Sequence, residues 1–376
     1  MTPRPSHRIP DLWQGLRWAM QPGAEGGGTS RPRLVWRTFK ATLAHGKALR
    51  RWMAMVFELQ SREIVKDLPG EYLRAVRPYV HRHTGYDERV VQLTDHMDWL
   101  ESAFHAKAFE QIASGRPLVL AELVPPRGCD FMRLQLQQAL AQSPEGELLL
   151  TLSLQRSPEI QHKPQPVDAG VLAFSCFRVD GVGCLVIGGV RGPRHASQRM
   201  SPTEISQALQ GWKPSVLMVR VAQELARYWG VRLIGLDPAA HRLRGWSYQW
   251  NKRYREGAQR ILASYDALWE HFEATNGPPG WVIVPMNSDD KLSATALSPE
   301  KRERQTRRAD YWIRTRNLLR LQFKQLLQRP NREARISRVT LAMDPDAMGD
   351  GEPPEYEDSE DGVPSRVLES GPGSLL

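Results

Sequence analysis

The sequence LVIGGVRG at residues 185–192, followed by GWKP at 211–214 and VRLIGL at 231–236, decides the fold. The apolar run ending in glycines is typical of a strand, and the segment between Pro214 and Gly230 has helical periodicity. At the amino end of such a helix, backbone N–H groups lack partners and the helix dipole is positive. The stretch therefore predicts a strand–loop–helix–strand unit with an anion-binding corner.

The segments around this unit predict the rest of a sheet. Alternating patterns at residues 118–124, 131–136, 147–154, 171–178 and 184–190 indicate five successive strands, and Asp180-Gly181 is a hairpin turn signal. Connections this short favour an antiparallel meander. A helix at 214–229, a strand at 231–236, a helix at 251–274, a strand at 281–284 and a basic helix at 299–328 follow. The predicted class is α+β or mixed α/β.

Composition divides the chain into four parts. Residues 1–33 are rich in Pro, Gly, Arg and Ser and are interpreted as a flexible leader, and residues 34–115 as a helical region. Residues 116–338 hold the mixed sheet and a basic C-terminal helix. Residues 339–376 form an acidic tail that we expect to be disordered, because the segment is charged and rich in Pro, Gly and Ser.

The net charge of +9 conceals an asymmetry. Residues 344–376 carry ten acidic side chains against Arg366, so the tail has a charge of −9 and the remaining residues have +18. The excess includes a candidate anion-binding face on the last helix, formed by Arg302, Arg304, Arg307, Arg308, Arg314 and Arg316. Such a face suits a phosphate-bearing small molecule, an anionic lipid surface or, less well, nucleic acid. The alternative is a solvated helix face screened by the tail.

The cysteines and the hydropathy pattern predict a cytoplasmic protein. Cys129, Cys176 and Cys184 have neither metal-ligand spacing nor an even count, so we interpret them as reduced thiols. No apolar run approaches the roughly 18 residues of a membrane span, and no signal peptide is apparent. Peripheral attachment at the inner membrane through the basic face is the alternative.

Several motifs occur together in this order: EGEL at 145–148, IGG at 187–189 with Gly192, GWKPS at 211–215, LIGL at 233–236 with His241, SYDALWE at 264–270, VP at 284–285 and the arginine-rich segment 301–316. In this combination the chain resembles the VirK/YbjX family of bacterial proteins, over roughly residues 40–328. The sequence departs from the family pattern at Arg191-Gly192, where a Gln-Gly pair is usual. The resemblance implies a role in envelope stress, antimicrobial-peptide resistance, virulence or damage response in Gram-negative bacteria. It implies no known catalytic residue.

The predicted element order also resembles the GCN5-related acetyltransferase fold, in which the helix after the fourth strand receives the pyrophosphate of coenzyme A. The resemblance implies acyl-CoA as a cofactor. The residues predicted to form its binding corner are Gly188, Gly189, Arg191, Gly192, Lys213 and Ser215. The sequence departs from that family because some two dozen residues separate Val190 from Ser215, whereas the family's glycine loop directly precedes the helix.

His241 is the candidate catalytic residue. It lies just past the carboxyl end of a predicted buried strand. In sheets with crossover helices, ligand sites are commonly found at that end of the strands. Its ordinary pKa suits a general base. The alternative is a loop histidine bonded to a carbonyl group.

Tyr265, Asp266 and Trp269 lie within one turn of a predicted helix and are candidate residues of a ligand groove. The alternative is that the two aromatic rings belong to the core. Histidines and aspartates between His81 and His105 lack a recognised ligand spacing, so no metal site is predicted. The sequence thus favours an anion-binding protein that transfers an acyl group. The rival hypothesis is a non-catalytic protein that binds anionic partners through its arginine-rich face.

Overall fold

Eight strands form one mixed sheet in the computed structural model, which describes residues 12–24, 30–125, 129–141, 143–156, 166–192, 202–244, 252–286 and 299–329. The strands are β1 Leu118–Leu123, β2 Cys129–Gln138, β3 Leu148–Arg156, β4 Val167–Val179, β5 Val182–Arg191, β6 Arg232–Leu236, β7 Thr275–Asn276 and β8 Trp281–Ile283. Their order across the sheet is β1-β2-β3-β4-β5-β6-β8-β7.

The first five strands are an antiparallel meander, as predicted. Asp180 and Gly181 turn β4 into β5 with positive φ angles of 49° and 74°, the conformation that a two-residue hairpin requires. Strand β6 then pairs with β5 in parallel, and β8 and β7 add an antiparallel hairpin at that edge. The α+β prediction with a mixed sheet is confirmed.

Strand β5 continues beyond its pairing with β6. Their parallel pairing runs from Cys184 opposite Arg232 to Ile187 opposite Gly235 and stops there. On the other side of β5, the register with β4 shifts and leaves Gly188 as the extra residue of a β-bulge. A bulge bends its strand and increases the local twist, and β6 itself ends at Leu236, one residue after the last pair.

Ten helices are described: α1 Leu12–Met20, α2 Arg31–Ala44, α3 Gly46–Ser61, α4 Leu68–Arg74, α5 Tyr86–Ala103, α6 Ala106–Ala113, α7 Pro202–Ala208, α8 Pro214–Trp229, α9 Lys252–His271 and α10 Pro299–Leu326. The predicted boundaries of α8 hold because Pro214 occupies the first helical turn and Gly230 ends the helix with φ 66°. Two short 3-10 turns, Pro238–Ala240 and Arg242–Arg244, follow β6.

The segment interpreted as a leader contains one helix and the start of another. Residues 12–20 form α1, whose Trp18 and Ala19 are buried, and α2 begins at Arg31. The rings of Trp18 and Tyr72 pack edge-on with their centroids 5.5 Å apart, so the apolar face of α1 is part of the core. The low-complexity composition of residues 1–33 concealed this short amphipathic pattern.

Apolar residues recur at helical spacing from Val90 to Ile112, but Phe104 breaks the helix and separates α5 from α6. Phe104 is extended, with φ −126° and ψ 147°, and forms an isolated β-bridge with Leu327 at the end of α10. The His105 N–H donates to the Leu326 carbonyl at 3.0 Å. A contact between segments distant in sequence therefore overrides the local helical pattern.

Helix α5 completes the hydrogen bonding of β4 beyond the start of β3. The Cys176 N–H donates to Nδ1 of His96 at 3.1 Å, and the Arg178 N–H donates to the Asp95 carboxylate at 3.1 Å. Helix and sheet thus share one core, and the described residues up to Arg329 belong to one compact unit. The predicted acidic tail lies outside the described residues. Within the described ranges, no helix has the length and hydropathy needed to span a bilayer.

The position of His96 makes stability depend on pH. Burial lowers the pKa of His96 from 6.5 to about 3. Because the unfolded chain binds this proton at higher pH, stability falls as the pH drops from about 6.5 towards 3, by about 2 kcal/mol at pH 5. In His96→Asn, whose side-chain oxygen can accept from Cys176 without titrating, we expect the difference in unfolding free energy between pH 7 and pH 5 to be about 2 kcal/mol smaller. Urea unfolding at both pH values measures it, and an unchanged difference would contradict the assignment.

Candidate functional site

A group of polar side chains gathers where the pairing of β5 and β6 ends, and we call it the Glu145 cluster: Glu145, Arg191, His241, Arg242 and Tyr265. Glu145 lies in the loop before β3, and Arg191 ends β5. His241 and Arg242 come from the 3-10 turns after β6, while Tyr265 comes from α9. Four separate segments therefore build one site.

The Glu145 carboxylate lies between two guanidinium groups. Its Oε2 is 3.3 Å from Nη2 of Arg191, and its Oε1 is 3.5 Å from Nη2 of Arg242. The Glu145 side chain is only 16 % exposed, and within the described part of the chain its Oε2 accepts no hydrogen bond. The arrangement gives a shielded carboxylate that retains an acceptor position.

The double glycine of β5 makes room for this carboxylate. A Cβ atom at Gly188 would overlap the Glu145 carbonyl oxygen, and a Cβ atom at Gly189 would lie 2.7 Å from Oε2 of Glu145. The structure therefore places Glu145 against Gly188 and Gly189, two residues predicted to contact a cofactor. Gly192, the third glycine of that prediction, has open space around its Cβ position.

Helix α9 bridges the two strands. The hydroxyl of Tyr265 accepts a hydrogen bond from the Val190 N–H of β5 at 2.8 Å, and the Trp269 Nε1–H donates to the Leu236 carbonyl of β6 at 3.0 Å. Burial, reinforced by the negative charge of Glu145, raises the pKa of Tyr265, so its phenol stays protonated at neutral pH.

The three residues predicted to form a ligand groove, Tyr265, Asp266 and Trp269, do not share one side of their helix. The rings of Tyr265 and Trp269 are buried and stack with centroids 6.1 Å apart, whereas Asp266 is exposed. The structure brings the two aromatic residues into the Glu145 cluster and leaves Asp266 outside it.

His241 is buried beside Tyr265, with ring centroids 5.6 Å apart. Its Nδ1 accepts from the Leu243 N–H at 3.1 Å. Burial, together with the charge of Arg242, lowers the pKa of His241 to about 4, so the ring is neutral at pH 7 and carries its proton on Nε2. In this arrangement His241 is a hydrogen-bond donor, and accepting a proton on Nδ1 requires breaking the bond to Leu243. Its catalytic role stays a hypothesis.

The amino end of α8 forms a second, separate corner. Lys213 is the exposed, extended N-cap residue, and its side chain makes no capping hydrogen bond. Ser215 is half-buried in the first turn. The backbone of Gly211 lies against Arg304 and Arg308, and the Arg308 guanidinium stacks 4.6 Å from the centre of the Trp212 ring. Lys213, Arg304 and Arg308 therefore bring positive charge to the start of the helix.

The sheet separates this corner from Arg191. A Cβ atom at Gly170 of β4 would meet Pro214 and Met218 of α8 at 3.2 and 3.3 Å. Arg191 pairs with the next residue, Val171, and so leaves the sheet on the opposite face. The predicted anion corner is thus two sites: Lys213 and Ser215 on the α8 face, and Arg191 with Gly188 and Gly189 on the Glu145 face.

The arginine-rich face lies along α10. Its buried side is limited to Thr315, Leu319 and Phe323. The predicted arginines divide by exposure: Arg302, Arg304, Arg307 and Arg314 are exposed, and Arg308 and Arg316 are half-buried. This placement leaves a basic strip in solvent.

Glu145 and Arg242 were not predicted from the sequence. The EGEL motif and the position of Arg242 beside His241 were the available signals, and neither shows which partners these residues find. Sequence distance is the reason, since Glu145 meets Arg242 only after β3, β4, β5 and β6 have assembled.

Comparison with known proteins adds one match. The family model described as "Protein of unknown function (DUF535)" matches residues 30–312, three quarters of the chain. The chain belongs to this family. The DUF535 family is the VirK/YbjX family that the motifs indicate. No curated protein and no solved structure matches the chain. The DUF535 match includes every residue of the Glu145 cluster and the start of α8, and it ends within α10.

Proposed function

We propose that this protein binds an acyl-CoA-like anionic ligand where the pairing of β5 and β6 ends and transfers its acyl group. One observation carries the proposal: the parallel pairing ends at Ile187 and Gly235, at a bulge, beside the crossover helix α8. A ligand that crossed the sheet beyond the last β5–β6 pair would place its phosphates at the amino end of α8 on one face and its thioester beside the Glu145 cluster on the opposite face.

The α8 corner fits the phosphates. Its helix of 16 residues begins after Lys213, whose side chain does not cap it, and the backbone N–H groups of a first helical turn lack intrahelical partners. Lys213, Arg304 and Arg308 add charge beside it. A pantetheine arm that used the Val190 N–H would have to replace the hydroxyl of Tyr265, which holds that donor now.

The Glu145 cluster fits the proton transfers. When bound, the thioester would supply an activated carbonyl carbon, to which an acceptor amine adds as the C–S bond breaks. Oε2 of Glu145 would take the proton from the amine, and the protonated Tyr265 hydroxyl would give one to the sulfur. His241 would hold Tyr265 in place through their ring contact.

Calorimetric titration of the full chain with acetyl-CoA tests this proposal. We expect saturable binding that Lys213→Glu weakens about tenfold or more, since the variant puts a negative charge at the helix amino end. Lys47→Glu, the same change at an exposed position of α3, is the matched control and should bind normally. Absence of saturable binding to folded protein would contradict the proposal. Once an acceptor is known, Tyr265→Phe should lower kcat more than it changes KM.

The second candidate function is non-catalytic binding of anionic lipid, nucleic acid or protein through the exposed arginines of α10. It is favoured by the small buried side of that helix. Binding of this kind is electrostatic, so it should fall steeply with salt and with the number of arginines replaced. Co-sedimentation with vesicles distinguishes this function from acyl-CoA binding. The protein tested carries glutamine in place of Arg302, Arg304 and Arg314.

In the cell, we propose that this activity operates in the cytoplasm or at the inner face of the membrane. The family resemblance supports a role in envelope stress, antimicrobial-peptide resistance, virulence or damage response. The test of this role is the survival of a deletion strain exposed to a cationic peptide. Comparing survival with and without the Lys213→Glu protein shows whether the cellular role depends on the α8 corner.

A further inference from the structure

A cavity of about 170 Å³ lies between α2, the connection from α4 to α5, and the 3-10 turn that begins at Arg242. Its walls include four arginines and two tyrosines: Arg37, Arg82, Arg89, Arg242, Tyr79 and Tyr86. Arg82 and Gly85 are exposed, so the cavity opens to solvent on their side. Its volume is roughly that of cavities that accept a benzene-sized molecule.

The charge of this cavity is not balanced by the protein. Arg242 pairs with Glu145, but in the part of the chain that the structure describes, Arg37, Arg82 and Arg89 form no ion pair with a carboxylate. Among the described residues, no aspartate or glutamate lines the cavity. Three cationic side chains therefore meet around a space that holds no protein anion.

Arg89 has the greatest need for a counter-ion, because it is only 7 % exposed. Its two terminal nitrogens donate to the Ala75 and Thr84 carbonyls, each at 2.9 Å, and these bonds fix the guanidinium against the cavity wall. Its Nε–H has no partner among the described residues. A buried cation with a spare donor and no counter-ion is costly unless an anion joins it.

The amino end of α5 adds a further positive pole. Gly85 is the extended N-cap residue of this 18-residue helix, lines the cavity and offers no side-chain cap. The acidic residues of the first turn have partners elsewhere: Asp87 pairs with His45 at 2.9 Å, and Glu88 accepts from Gln92 at 3.0 Å. The cavity therefore combines a helix terminus with converging guanidinium groups, the two devices that proteins use for phosphate.

We propose that this cavity is a binding site for the phosphate group of a small phosphate monoester, separate from the α8 corner. The dianionic phosphate would lie among Arg37, Arg82 and Arg89 at the start of α5, and Tyr79, Tyr86 and Pro78 would flank the organic part. A soluble ester and a phosphatidate headgroup share this chemistry.

The test is calorimetry of the full chain with inorganic phosphate and with glycerol 3-phosphate. We expect one saturable site, weakened about tenfold or more in Arg37→Gln/Arg82→Gln, since each change removes a charge-assisted hydrogen bond. The matched control is Arg33→Gln/Arg50→Gln, which removes the same charge from exposed positions of α2 and α3. Circular dichroism establishes that both variants are folded.

The proposal is overturned if neither probe binds saturably, or if both double variants lose affinity equally, which is the behaviour of diffuse electrostatic attraction. A parallel experiment with phosphatidate vesicles tests whether the phosphate belongs to a lipid headgroup. If the protein binds these vesicles and glycerol 3-phosphate displaces it from them, a headgroup occupies the same site. Lys213→Glu should leave phosphate binding here unchanged. Failure of this proposal is therefore distinguishable from failure of the acyl-CoA proposal.

Discussion

Replacing Arg74 by leucine is expected to lower the unfolding free energy by about 3–5 kcal/mol, because the change leaves two buried carboxylates without a counter-ion. Arg74 ends α4, and only 1 % of its side chain is exposed. Its Nη2 lies 2.9 Å from Oε1 of Glu71, and its Nη1 contacts Oε2 of Glu147. Glu71 and Glu147 are themselves 7 % and 1 % exposed.

Urea unfolding followed by tryptophan fluorescence measures this loss. Arg307→Leu is the control, since Arg307 pairs with Glu303 in solvent, where an i,i+4 pair contributes about 0.3–0.5 kcal/mol. Adding Glu71→Gln and Glu147→Gln to Arg74→Leu should restore part of the stability, because the uncompensated charges are then gone. A loss below about 1 kcal/mol for Arg74→Leu would show that the carboxylates find other compensation.

Gly188→Ala is expected to cost about 3 kcal/mol, the upper part of the usual range for forcing atoms into a packed site. The new methyl group would overlap the Glu145 carbonyl oxygen and lie 2.9 Å from Cγ1 of Val80. The overlap involves backbone, which cannot move aside as a flexible side chain does. The substitution should therefore displace the Glu145 loop from β5 as well as reduce stability.

Gly192→Ala provides the matched comparison. It lies one residue beyond the end of β5, and no heavy atom of the described residues lies within 4 Å of its Cβ position. We expect its unfolding free energy to stay within about 0.5 kcal/mol of the parent value. Equal stability of the two alanine variants would mean that the Glu145 loop does not rest on the double glycine.

The candidate site could be predicted in part. The limits of α8 followed from the Pro214 and Gly230 signals, whereas the approach of Arg304 and Arg308 to its amino end did not. The Glu145 cluster could not be predicted as a unit, because its members meet through ion pairs and a hydrogen bond between segments far apart in sequence. The cavity at the start of α5 was likewise unpredictable, since α2 contributes Arg37 and the turn after β6 contributes Arg242.

The sequence by itself determined the meander, the hairpin at Asp180-Gly181 and the limits of α8, because alternation, turn conformation and helix caps are decided by residues within a few positions of one another. Only the tertiary structure decided that Phe104 interrupts a helical pattern, that α1 joins the core, and that Arg191 and Lys213 lie on opposite faces of the sheet. Each depends on which segments pack together, and that is settled by burial and pairing across the whole chain.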